Sequence, residues 1–219
     1  KKGNSNNSGD FAKLIVISAP LFFPALLGPH LDNFIENVYK KPGNLFSHEH
    51  AWFAEIQGKT TGMLLGYSGE VKRNQGLSTG LLFFKHFIKF GFFQKIIFLL
   101  KTQNFFPKIK RDDFYISNLA VFPEYQNRGI GTSLLKFAES EALSNRCVNM
   151  VLDVEAENQR AIKLYQKNGY VMESTSSSLQ FGKSQFQFIR MKKYLIREIT
   201  SSQPNFEFPR LLIDKPSTR

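Results

Sequence analysis

The sequence predicts an α/β fold, on three observations. Stretches of strand-type residues alternate along the chain with stretches whose apolar residues recur at helical spacing. One alternation, over residues 115–131, reads as strand, short loop and helix start in immediate succession. The length of 219 residues suits a single domain that can bury a full core.

Taken in order, residues 1–10 are polar and rich in asparagine and glycine, which predicts a disordered start with no secretory leader. Residues 11–18, FAKLIVIS, read as a first strand. Pro20 to about Tyr39 reads as helical, with Leu26, Leu27, Leu31, Phe34, Ile35 and Val38 toward the core, and Pro42-Gly43-Asn44 breaks it. Residues 50–56 and 61–67 flank Gln57-Gly58-Lys59 in the pattern of a β-hairpin.

An insertion over residues 71–111 follows. It holds nine lysines and arginines together with His86, and no acid occurs between Glu70 and Asp112. Nine of the eleven net positive charges therefore belong to it. Phe83, Phe84, Phe87, Phe90, Phe92, Phe93, Phe98, Phe105 and Phe106 crowd the same piece. A membrane span over residues 81–100 is rejected, because Lys85, His86, Lys89, Gln94 and Lys95 interrupt it and charge at bilayer depth is costly. Two amphipathic helices hinged near Gly91 fit better. They read as a helical hairpin packed on the domain or on a second subunit, as a lid, or as a contact surface for an anionic membrane. Nucleic acid ranks below lipid, since the glycine-and-arginine texture of a nucleic-acid tail is missing.

Tyr115, Ile116, Leu119 and Val121 begin a central strand that stops at Phe122-Pro123-Glu124. A helix with Ile130, Leu134, Phe137 and Ala138 on one face comes next. Residues 148–154, VNMVLDV, read as a buried strand. Residues 158–167 read as a short helix, ended by Asn168-Gly169 as a left-handed cap. Residues 170–173 and 186–191 are closing strands, with a loop or weak hairpin over 174–183. Polar residues with Pro204, Pro209 and Pro216 make 196–219 a peripheral extension of a domain over 11–195.

The single cysteine, Cys147, excludes an intrachain disulfide and a cysteine-rich zinc site, and favours a reducing, cytoplasmic setting. His48 and His50 alternate as in a strand but have no third ligand in view, so no metal is expected.

Two blocks carry chemistry. The first is Gln126-Asn127-Arg128-Gly129-Ile130-Gly131, with Thr132 just inside the helix. Two glycines at a helix entrance allow a tight turn whose N–H groups converge on a phosphate, although a plain strand-to-helix turn would use glycine too. The second runs from Leu152 and Asp153 through Asn158, Ala161, Leu164 and Tyr165 to Gly169-Tyr170. Their order and separation resemble the two signatures of the GNAT acetyltransferase superfamily, Q/R-x-x-G-x-G/A and Asn-x-x-Ala-x-x-Leu-Tyr before Gly-aromatic. The second block looks most like the branch that acetylates protein N-termini, including ribosomal-protein alanines.

That resemblance implies a GNAT fold, a twisted mixed sheet flanked by helices. It also implies transfer of acetyl from acetyl-CoA to a primary amine (a protein N-terminus, a lysine or a small amine) in a direct ternary complex. Leu119, Ala120 and Val121 would hold the pantetheine arm through their main chain. Gln126, Asn127, Arg128, Gly129, Ile130, Gly131 and Thr132 would hold the pyrophosphate, with Asn158 on the arm and Lys167 near the phosphates. Tyr165 falls where the family's tyrosine protonates the leaving thiolate, or is a core residue. Asp153 falls where that branch carries its general base, or is a strand-end charge. Glu155 is its understudy, ahead of Tyr115, Asn118 and His86. A non-catalytic acyl-CoA sensor and a membrane-peripheral or assembly protein are the rival functions, and a homodimer is a further expectation.

Overall fold

The computed structural model describes residues 1–89, 93, 108–181 and 184–195. Helices α1 (Ser8–Ser18), α2 (Phe22–Leu27) and α3 (Leu31–Lys40) precede a hairpin of β1 (Ala51–Ile56) and β2 (Lys59–Ser68). Helix α4 (Gly69–Lys89) opens the insertion, and β3 (Asp113–Val121) resumes the sheet. Then come α5 (Ile130–Ser144), β4 (Asn149–Glu155), α6 (Gln159–Lys167) and β5 (Val171–Thr175). A small hairpin of β6 (Leu179–Phe181) and β7 (Ser184–Phe186) precedes the last strand, β8 (Phe188–Tyr194). The main sheet has the order β1-β2-β3-β4-β8-β5, antiparallel throughout except for the parallel pair β3–β4.

Two readings of the N-terminal part are corrected. Residues 11–18 form helix rather than strand. Phe11, Leu14 and Ile15 stand three and four apart, so they share one helical face, and all three are fully buried. Residues 1–10 are not a disordered start: Lys2 bridges Trp52 beside β1, the Gly3 amide donates to the Ala51 carbonyl at 2.8 Å, and Ser8 already opens α1. The second helix of the insertion, the hinge at Gly91 and the extension 196–219 lie outside the described residues.

Each face of the sheet buries its own core. Helices α1 to α4 cover one face through Phe11, Ile15, Leu27, Ile35, Phe83 and Phe87, against Phe53, Met63 and Leu65. Helices α5 and α6 cover the other through Leu134, Leu135, Ile162 and Tyr165, against Leu64, Phe114, Leu152 and Met191. Alternation along β2 sends Met63 and Leu65 one way and Leu64 the other, as the period of a strand requires.

One irregularity shapes everything below it. Leu65 pairs with Asn118 and Gly66 with Ile116, so Ser117 is an extra residue in β3, a β-bulge. Before it Phe114 and Ile116 face the α5–α6 core; after it Leu119 and Val121 do, and Asn118 turns to α1 to donate to the Ser18 hydroxyl at 2.8 Å. The parallel ladder with β4 ends at the same point, its last rung being Ile116–Leu152. Beyond that rung the two strands part.

The two ends of the insertion are tied at its base. Arg111 pairs with Glu70 at 2.8 Å, and the Lys110 amide donates to the Asp113 carboxylate at 2.9 Å. Gly69, at the start of α4, lies so close to the Lys110 carbonyl that a Cβ there would overlap it. Gly69→Ala should therefore destabilise the fold by about 1–3 kcal/mol, the usual cost of overpacking, read as a lowered denaturant midpoint at unchanged m-value.

Candidate active site

The parted strands open a cleft of about 940 Å³. Its walls are the end of β3, the end of β4, the turn before α5, the inner side of α6, and the α2–α4 layer. Among the described residues, the edge of β3 that would have faced β4 has no strand partner past Ile116, and Leu119, Ala120 and Val121 border the cleft.

At one end stands the turn 126–131. Asn127 and Gly129 both adopt left-handed φ, 63° and 79°, on either side of Arg128. Such alternation aims successive backbone N–H groups into one hollow, directly before the N-terminus of the fifteen-residue helix α5. No atom stands within 4 Å of where a Gly129 Cβ would be, so glycine is required there by backbone conformation rather than by crowding. Gly131 differs: its Cβ would come 3.1 Å from a Leu164 methyl, and its smallness lets α6 pack close.

Side chains brace this hollow. Gln126 donates its amide to the Val121 carbonyl at 2.8 Å and accepts from Arg160, which also donates to Asn127 at 2.8 Å. Arg160, Lys163 and Lys167 give the α6 wall its positive charge. Ile130 and Thr132 border the same end. Arg128, expected to charge this end, is not in the cleft wall; its guanidinium lies over the Tyr125 ring at 5.4 Å. Asn158 reaches the cleft wall, with its side-chain oxygen committed to the Ala161 amide as the N-cap of α6.

Midway sit the titratable groups. Tyr165 is buried on α6, and burial pushes its phenol up to about 12, so it is protonated at neutral pH. Its ring packs on Tyr170 at 5.7 Å. Asp153 is held by donors from two neighbouring strands. Arg190, directly opposite on β8, grips it with Nε and Nη2, both at 2.7 Å, and the Tyr115 hydroxyl donates to it at 3.0 Å. The Arg190 and Asp153 side chains are 3% and 5% exposed. Three hydrogen bonds occupy the carboxylate, which ties β3, β4 and β8 together.

Glu155, two residues on, has the opposite surroundings. Among the described residues its buried Oε1 has no hydrogen-bond partner, and burial raises its pKa above the ordinary glutamate value. It borders the cleft. His86 is remote from the cleft, packed on Phe34 with ring centroids 4.1 Å apart. His50 is in a short 3₁₀ turn, not a strand, and its Nε2 meets the Gln75 amide oxygen at 2.8 Å.

Residues 19–170 match the Acetyltransferase (GNAT) family. This chain belongs to that family. N-alpha-acetyltransferase 30 of Xenopus laevis is 42% identical over 57 residues, which are 26% of this chain and 21% of that protein. The ribosomal protein bS18-alanine N-acetyltransferase of Salmonella typhimurium is 37% identical over 59 residues, 27% of this chain and 40% of that protein. The chain thus spans less than half the length of these relatives. Among solved structures, an N-acetyltransferase from Staphylococcus aureus Mu50 superposes with a TM-score of 0.64 at 23% identity, covering 88% of this chain and 98% of that one. A second acetyltransferase gives 0.61 at 17% identity, over 90% and 98%. These likenesses show the GNAT fold.

Within that fold, four residues that line the cleft or pair with a residue lining it escaped the sequence reading. Arg190 is visible only once β8 is registered against β4. Arg160 was one exposed arginine among many. Tyr67, whose phenol burial pushes up to about 12, stacks near Tyr115 at 5.9 Å and looked like an ordinary hairpin residue. Lys72 was counted with the insertion's solvated charge, yet it turns inward, its ammonium 4.4 Å from the Tyr115 ring centroid, and burial lowers its pKa.

Removing one partner of the buried pair should be expensive. Arg190→Leu is expected to cost about 3–5 kcal/mol in equilibrium unfolding. Adding Asp153→Asn should recover part of that loss, because the stranded charge goes with it.

Proposed function

We propose that this GNAT chain is an acetyl-CoA-dependent N-acetyltransferase that transfers acetyl to a primary amine by direct attack in a ternary complex. The observation that carries the reading is the single cleft joining three features: a nest of N–H groups at a helix N-terminus, an unpaired β3 edge, and a carboxylate–phenol pair. The nest and the cationic wall of Arg160, Lys163 and Lys167 suit a pyrophosphate. The main chain of Leu119, Ala120 and Val121 suits the amide-bearing pantetheine arm, bound as an added strand would be.

An α-amine of pKa about 8, or a lysine of about 10.4, arrives protonated. Glu155 takes that proton. The freed nitrogen bonds to the thioester carbonyl carbon, the carbon–sulfur bond breaks and Tyr165 donates its proton to the departing sulfur; the second proton, shed by the new amide nitrogen, restores the Tyr165 phenol. Asp153, Arg190 and Tyr115 keep the end of β4 in place. Beyond Glu155 the cleft is walled by Phe22, Phe23, Leu26, Phe46 and Phe83, which favours an acceptor with an apolar flank. The names of the relatives make protein α-amines the first acceptors to test.

Calorimetric titration of the whole chain with acetyl-CoA should show micromolar binding, and Gly129→Glu should abolish it by filling the hollow with a carboxylate. A folded wild-type chain that binds no acetyl-CoA would sink the reading. Binding without turnover over a panel of peptides, lysines and small amines would instead make the chain an acyl-CoA sensor.

A base works deprotonated, so the rate should fall as pH drops through the raised pKa of Glu155, placing the acid limb above the ordinary glutamate range. Glu155→Gln should remove that limb and lower kcat by about 10²–10⁴, with Tyr165→Phe causing a loss of similar size but keeping the limb. An acid limb unchanged in Glu155→Gln would assign the base elsewhere.

A further inference from the structure

Helix α4 is pinned by one face and open on the other. Thr79, Phe83, His86 and Phe87 are buried, the two phenylalanines in the core shared with α1–α3 and His86 on the Phe34 ring. On the opposite side Leu77, Leu81, Phe84 and Ile88 are 76%, 50%, 43% and 49% exposed. At 3.6 residues per turn these four fall within about 60° of arc, a continuous apolar stripe three turns long. An ordinary outer helix face is polar, and an aligned stripe of four large apolar side chains marks an interaction surface.

We propose that this stripe docks in the plane of an anionic membrane surface, as an interfacial helix. Charge selects the partner. Exposed Arg73 borders the stripe on one side, and exposed Lys85 and Lys89 follow on the other. The segment between Glu70 and Asp112 carries nine lysines and arginines and no acid. Leucine, phenylalanine and isoleucine flanked by basic side chains is the pattern of a helix that buries its apolar face at the headgroup boundary while its cations meet anionic lipid. A second copy of this chain is a poor occupant of the face, because a self-complementary contact would set one unrelieved basic segment against another. Among the described residues no single helix is long and apolar enough to cross a membrane, so α4 would lie on the bilayer rather than span it. The proposal is independent of the acetyl-transfer reading.

The test is flotation of the full chain with vesicles of phosphatidylcholine containing about a third phosphatidylglycerol, against pure phosphatidylcholine, at low and high salt. The chain should float with the anionic vesicles alone and lose at least about tenfold in partitioning at high salt. Leu81→Ser/Phe84→Ser should abolish flotation by removing the stripe. Arg73→Glu/Lys85→Glu should weaken it at least about tenfold by inverting the flank. All four substitutions are at exposed positions, and an unchanged thermal melt shows that each variant is folded. Absence of flotation with anionic vesicles, or equal and salt-insensitive binding to neutral ones, would overturn the proposal. So would a dimer in sedimentation equilibrium that Leu81→Ser/Phe84→Ser dissociates, since the stripe would then be covered by a second copy.

Discussion

The structure turns on the separation of β3 from β4 after the Ile116–Leu152 rung. Two parallel strands in a sheet normally stay paired, because breaking the ladder leaves donors and acceptors unsatisfied. Here the bulge at Ser117 bends β3 while its ladder to β2 continues to Val121 and Gly62. The strand is held on one side and released on the other, which is why the opening is a cleft and not a frayed end. On its rim lie the end of β3, the turn before α5, and residues of α4 and α6.

The point of separation is stapled. Tyr115 on β3 reaches across to Asp153 on β4, and Arg190 on β8 clamps the same carboxylate from the far side. Three strands are thus locked together within one residue of where two of them diverge. A buried ion pair of this kind contributes little net stability, because desolvation consumes most of the Coulombic gain, but it defines register since neither charge tolerates losing its partner.

Asp153 and Glu155 show how one side-chain chemistry meets two different surroundings. They are two residues apart on one strand, so their side chains leave the same face. The first is saturated with donors and holds the structure. The second has a buried oxygen with no donor among the described residues, and burial raises its pKa. The lysines of α4 divide similarly: Lys72 turns inward over Tyr115, while Lys85 and Lys89 stay in solvent, separated by the helical period alone.

The sequence by itself determined the α/β class, the hairpin at Gln57-Gly58, the succession of strand, turn and helix over 115–131, and the positions of Gly129, Asn158 and Tyr165. These are local matters: turn chemistry, caps and hydrophobic periods are written in neighbouring residues, and the paired motifs in their spacing. Residues 11–18 were misread because FAKLIVIS satisfies both periods, and only burial of Phe11, Leu14 and Ile15 under one layer chose the helix. The role of Asp153 was beyond the sequence for a deeper reason. Its partner Arg190 is thirty-seven positions away and meets it through antiparallel register, a relation between strands that no local pattern encodes. What surrounds each carboxylate was therefore decided by tertiary structure, because burial and pairing arise only when distant strands are brought side by side.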